Sequence, residues 1–329
     1  MKKLSIVYIT ARKQPKFEWF VEYLYKECDG NVTDEIIFVD VYLHFDSDRR
    51  DYLNKIINNR FNYIHLEPKP CMWYGPNKKT KTHFFDASST RNSGLIACSG
   101  EHVVFIDDLS IPMPGWLSYH KKAAEEEVVL AGLYDKVYDI KIENNIVTGF
   151  RNQDSIIDGR VNYTNDDYVK IGGGWCFTGN LSVPYKLIEK INGFDEIYAR
   201  HGTEDCDFGV RLENAGANIF LEKKCKLFED QYLHWNGENE YTRTIGGNNL
   251  HRGYKSTIEK HYKFSNEKWP EKIYWENMNK VIHDKKISTN ETFSINLKEE
   301  KDFYKQNNKF KPLSKFLEFD YDGEPIGEI

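Results

Sequence analysis

Hydrophobic positions early in the chain come as short, nearly unbroken runs separated by amphipathic stretches. LSIVYIT at residues 4–10 is the first such run, and it predicts a strand buried on both faces. In residues 17–26, Phe17, Phe20, Val21 and Leu24 recur at helical spacing and predict an amphipathic helix. Residues 35–42 predict a second buried strand, 52–60 a helix and 62–68 a third strand. Residues 88–100 read as an N-capped helix with Gly100 after its end. The run at 101–108 predicts a fourth strand, ending in two acids. Strand and helix alternating in this way predict an α/β fold, a mostly parallel sheet with helices on both faces. Such sheets bind ligands beyond the carboxyl ends of their strands, where Thr10, Asp40, Asp107 and Asp108 would converge.

The middle of the chain is less regular. Residues 131–155 predict strands and a hairpin around ENN, and 168–184 a glycine-rich, aromatic loop leading into a strand. YKLIEKING predicts a short helix with Gly193 at its end, and a further helix begins within HGTEDCDFGVRL at 201–212. Beyond His261 the periodicity weakens and Lys, Asn and Glu dominate. The pattern divides the chain into a domain over 1–262 and a mainly helical extension over 263–329, an acceptor or partner module; no internal repeat occurs.

The formal net charge of -6 argues against a protein held to nucleic acid by phosphate contacts. The six cysteines contain no C-x-x-C pair, which disfavours a zinc ribbon or a thioredoxin-type centre and suits a reducing compartment. ARKQPKFEW breaks the first apolar run too soon for a signal peptide, and no apolar stretch is long enough to span a membrane. The expectation is a cytoplasmic protein, with peripheral membrane attachment left open.

Several constellations carry candidate chemistry. Asp107 and Asp108 leave an apolar strand into a turn closed by Pro112 and Pro114, and suit either a divalent cation or a solvated turn. Arg91, in STRNSG, is placed to fork a diphosphate or to form a salt bridge. Gly172, Gly173 and Gly174 let the backbone approach a ligand, and Trp175 offers a flat face for a sugar or a core contact. Asp205, Phe208 and Leu212 share one helical phase, which points Asp205 inward as a candidate general base beside Glu204. His234 becomes a metal-ligand candidate only if the acid pair needs a further partner.

Taken together, these motifs resemble the inverting, nucleotide-sugar-dependent glycosyltransferases of the GT-A fold, the family 2 group. The resemblance spans residues 4–236, and the second half is similar to the carboxyl-terminal region of galactosyltransferases and chondroitin-polymerase-type enzymes. Its most specific part is the run from GGGWCFTGN through the Asn-Gly-Phe-Asp turn to the Glu204–Asp205 pair. The resemblance implies a GT-A, Rossmann-like sheet and a UDP-sugar donor held by Thr10, Arg12, Asp40, Arg91 and Asp107, with Asp40 on the base. It implies Mn²⁺ or Mg²⁺ on Asp108 and His234, and a sugar or acceptor contacted by Gly173, Gly174, Trp175 and Asn180. Asp205 would be the catalytic base and Glu204 the acceptor-orienting acid, with a glycan as the acceptor. One departure is Leu109, which stands where many members carry a second metal-strand acid. Alternatives are a hydroxymethylated nucleobase in DNA as acceptor, with Lys305, Lys309 and Lys311 near its backbone, or a degenerate sugar-binding protein.

Overall fold

Alternate side chains of β1 (Leu4–Thr10) enter two different cores. Ile6 and Tyr8 pack with Phe17 and Phe20 of α1 (Phe17–Glu27) and Leu53 of α2 (Arg49–Ile57). Val7 and Ile9 face the other way, towards Leu95 and Ile96 of α3 (Ala87–Ala97). A strand buried on both faces follows from its unbroken apolar run. The computed structural model describes residues 3–12, 14–44, 46–69, 87–144, 146–196, 204–231 and 296–312.

The remaining strands are β2 (Glu35–Asp40), β3 (Tyr63–Leu66), β4 (His102–Asp107), β5 (Ser110–Pro112), β6 (Val129–Glu143), β7 (Ile146–Ile156), β8 (Tyr168–Lys170), β9 (Asn180–Pro184) and β10 (Ile219–Asp230). They form one sheet ordered β3-β2-β1-β4-β9-β6-β10-β5, with β7 paired to β6 and β8 to β10. Along that path only β9 and β5 run against the others. The fold is therefore mixed α/β with a mostly parallel central sheet, as the alternation of elements predicts. β1 lies between β2 and β4, so the chain crosses over in opposite directions on its two sides. The carboxyl ends at that switch point are the expected ligand crevice.

Helices α4 (Trp116–Glu126), α5 (Tyr185–Lys190) and α6 (Glu204–Asn214) complete the two layers. Phe208 of α6 stacks on Phe194 at 3.9 Å between centroids, and Phe105 of β4 meets both edge-on. Truncating such a buried ring costs about 3–5 kcal/mol. This cluster fixes α6 to the sheet.

Two boundaries differ from the sequence pattern. The second strand stops at Asp40, and Val41–His44 form a 3-10 turn, because the Asp40 carboxylate caps the Tyr42 N–H at 2.9 Å. Helix α4 has no counterpart in the predicted elements; its buried positions include His120, which interrupts the apolar stripe. Within the predicted extension, α7 (Leu297–Asn307) docks on α3. Leu297 enters the same core as Val7, and its N–H donates to Asn192 Oδ1 at 2.8 Å.

Candidate active site

The carboxyl ends of β1 and β4 are joined side chain to side chain. Thr10 Oγ1 donates to Asp108 Oδ2 at 2.6 Å, and Arg12 Nε donates to Asp108 Oδ1 at 2.8 Å. The Arg12 N–H in turn donates to Thr10 Oγ1 at 3.1 Å. Both oxygens of buried Asp108 are thus engaged, one of them by a guanidinium. A divalent cation on Asp108 requires Arg12 to leave it, since the two charges compete for one carboxylate. Among the described residues no group of three metal-type side chains assembles, and His234 lies outside them. Of the Mn²⁺ or Mg²⁺ site drawn from the resemblance, the described residues hold only Asp108, and its carboxylate is taken up by Arg12 and Thr10.

Arg91 is the central cation. It is only 4% exposed, and it donates through Nη1 to Glu204 Oε1 at 2.8 Å. Through Nη2 it grips Asp107 at 2.9 and 3.2 Å. Burial alone would lower its pKa; Asp107 and Glu204 outweigh that and raise it. Arg91 therefore bridges the end of β4 and the start of α6, the salt-bridge arrangement that the sequence offered beside a diphosphate contact. Asp107 itself has a raised pKa, chiefly from burial, with Arg91 opposing and Glu229 and Asp108 adding repulsion.

The two acids opening α6 are unlike each other. Glu204 is buried against Arg91, whereas Asp205 is half-buried. The inward face of α6 runs through Glu204, Asp207, Phe208, Arg211 and Leu212, so the helical phase that points Asp205 at the core is displaced by one residue. The sequence pattern hid this face because most of its members are charged and pair internally. Asp207 pairs with Arg211 at 2.7 Å, and Arg211 also donates to the carbonyls of Ile191 and Gly193. Asp205 Oδ1 accepts the Cys206 N–H at 2.8 Å. Its carboxyl is pushed up to about 7, first by burial and then by Glu204, with Arg91 and that N–H pulling it back. A reachable carboxyl that titrates near neutrality has the properties of a general base.

The glycine loop divides between structure and surface. A Cβ on Gly173 would collide with the carbonyl of Gly209 in α6, and one on Gly209 with the carbonyl of Gly173. Gly173 serves helix–loop packing, which corrects its placement at a sugar. Gly174 faces open space, and its carbonyl accepts from Cys206 Sγ at 3.3 Å. Trp175 is 46% exposed, with the exposed ring of Tyr163 6.3 Å away. Buried Arg160 holds the loop from below, donating to the Trp175 carbonyl at 2.8 Å.

Two further assignments are corrected. Asp40 is fully buried and already bonded to Arg49 Nε at 2.7 Å and the Tyr42 N–H, with His65 Nε2 3.1 Å away. It cannot reach a nucleotide base; it anchors Arg49, which donates to the Arg12 carbonyl at 2.6 Å. Asn180 is fully buried: its Oδ1 accepts from Trp116 Nε1 at 2.8 Å, and its Nδ2 donates to the carbonyls of Leu133 and Cys225. It ties α4, β6 and β10 together and has no face for an acceptor.

Leu109 shows where the third acid position has gone. Its side chain is fully buried and its backbone is left-handed, at φ 57°. A non-glycine residue there carries strain of about 1–2 kcal/mol, held by the surrounding structure. Its carbonyl accepts the Asp230 N–H at 3.1 Å. Buried Glu229 and Asp230 at the end of β10 thereby join the acidic cluster, with Gln231 Nε2 donating to Glu229 at 2.7 Å. The sequence held the signal for them: LFED, like FIDD, is an apolar strand ending in two acids. A buried pair next to α3, Lys69–Glu196 at 2.9 Å, is completed by Asn92 Nδ2 at 2.9 Å.

Residues 160–236 match the family model described as the N-terminal domain of galactosyltransferase. The match holds Trp175, both acids of α6 and the acidic end of β10. No curated protein sequence matches the chain. Similar solved structures include S. aureus TarS 1-349 in complex with UDP-GlcNAc, at 12% identity and a TM-score of 0.48, covering 85% of this chain and 70% of that one. The same protein in complex with UDP gives 13% identity, a TM-score of 0.47 and coverage of 85% and 69%. Among the described residues, no helix is long and apolar enough to cross a membrane.

Proposed function

We propose that the protein is an inverting glycosyltransferase, moving a sugar from a nucleotide diphosphate sugar, a UDP-sugar first among them, to a glycan hydroxyl. The observation that carries this reading is Asp205, a half-buried carboxyl raised to about 7 beside the Arg91-held Glu204. The galactosyltransferase match over 160–236, which contains both acids, supports it.

In this reaction Asp205 takes the proton of the acceptor hydroxyl as its oxygen attacks the anomeric carbon. The bond to the diphosphate breaks with its electron pair leaving on the diphosphate oxygen. Glu204, fixed by Arg91, keeps Asp205 basic enough to accept the proton near pH 7. Trp175 stacks on the sugar face. Thr10, Arg12 and Asp107 stand at the carboxyl ends of β1 and β4 and are the donor-side residues of the proposal.

Asp205→Asn tests the reading. Transfer should fall by about 10²–10⁴, the usual contribution of a general base, while UDP binding in a calorimetric titration stays close to that of the parent. Loss of UDP affinity in proportion to activity would contradict the base assignment.

A further inference from the structure

At the opposite end of β4 from the acids, docking of α7 leaves a cavity of about 450 Å³. Its walls include Glu101 and His102 at the start of β4, Tyr185 of α5, and Lys298, Lys301 and Lys305 of α7. The strand separates this cavity from Asp107 by about 20 Å, at roughly 3.3 Å per residue. It is distinct from the candidate active site.

Lys301 is the unusual member. It is 7% exposed, yet among the described residues its ammonium has a thiol and an aromatic ring as its partners and no carboxylate. Its contacts are soft: Cys98 Sγ at 3.7 Å and the face of the Tyr185 ring at 3.4 Å. A buried charge is costly unless it is paired. The carboxylates that line the cavity, Glu101, Glu189 and Asp302, are exposed and solvated, and Glu127 is taken by Lys186. Lys298 and Lys305 lie three residues before and four after Lys301, on one face of α7. The volume is that of a small-molecule site. Burial, reinforced by Lys305, pushes the Lys301 pKa down, the direction an arriving anion would reverse.

We propose that this cavity binds a small ligand through a tetrahedral oxyanion, phosphate in class, seated on Lys301 with Lys298 and Lys305 at its rim. The anion supplies the counter-charge that the fold leaves out. The ligand is either the free ion or a phosphorylated sugar, and the two are separable in solution.

The test is isothermal titration of the full chain with inorganic phosphate and, separately, with glucose 6-phosphate, each repeated with excess UDP. The expected result is saturable binding that UDP does not displace. Tighter binding of glucose 6-phosphate identifies a phosphorylated sugar; equal binding identifies the ion itself. Lys301→Met removes the ammonium while keeping an unbranched chain in its place, and should weaken binding by about tenfold or more. Lys305→Met, at an exposed position, should weaken it a few-fold with the melting curve unchanged. If Lys301→Met fails to fold, Lys305→Met decides alone. The proposal is overturned by the absence of saturable binding, by full competition from UDP, or by parental affinity in the folded variants.

Discussion

Arg91 of α3 donates to Glu204 of α6 at 2.8 Å, and its other amino group, on Asp107, extends that link from the helix that carries the proposed base to the end of β4. Arg91→Met would leave Glu204 and Asp107 near each other in a buried site without their cation. Breaking a buried pair in this way costs about 3–5 kcal/mol, so a large loss of stability is expected in urea unfolding.

The same bond sets the pH at which Asp205 works. Glu204 raises the Asp205 pKa and Arg91 lowers it. Activity should rise with pH through a midpoint near 7, because the base must be deprotonated. Glu204→Gln removes the repelling charge and should move the midpoint of kcat/KM to lower pH; Arg91→Met should move it higher. Midpoints that stay put in both variants would refute the coupling.

A raised carboxyl pKa also costs stability in a defined window. The ordinary value is 3.8 and the folded value is about 7, so between these the folded state binds more protons than the unfolded one. Stability therefore falls as pH rises across that window. The full shift corresponds to about 4 kcal/mol; discounted for solvent screening of a partly exposed group, Asp205→Asn should stabilise the protein at pH 8 by on the order of 1–2 kcal/mol, with little change at pH 4. Calorimetric melting at both values measures it.

Trp175 is exposed, so its loss should spare the fold. Trp175→Ala is expected to change stability by less than about 0.5 kcal/mol. The KM for the sugar-bearing substrate should rise about three- to tenfold, as befits one stacking contact. Steady-state kinetics alongside a melting curve separates the two effects.

Neighbouring glycines should respond in opposite ways. Gly173→Ala drives a methyl into the Gly209 carbonyl and should cost about 1–3 kcal/mol. Gly174→Ala meets nothing and should be near neutral. Differential melting of the pair is a direct check.

The sheet was legible in the sequence because β1, β2 and β4 are apolar runs with no competing interpretation, and the polar residues that end them, Thr10, Asp40 and Asp107, mark one edge of it. The site was legible only as a set of acids. Asp40, Asp108 and Asp205 are the same chemistry at comparable positions, and what separates them is partners brought from distant segments: Arg49, Arg12 and Glu204. Asn180 entered as a sugar contact only through the family resemblance, and the buried indole that occupies it comes from 64 residues away. Glu229 and Asp230 went unnoticed although LFED repeats the logic of FIDD.

The contact between Gly173 and Gly209 has a mechanical meaning. The loop that bears Trp175 and the helix that bears Asp205 touch backbone to backbone, with no side chain between to act as a cushion. They form one lever, so tilting the indole to suit another sugar also turns the carboxyl that receives the proton. Retargeting this site by loop exchange alone would misalign its chemistry unless the helix were transplanted with the loop.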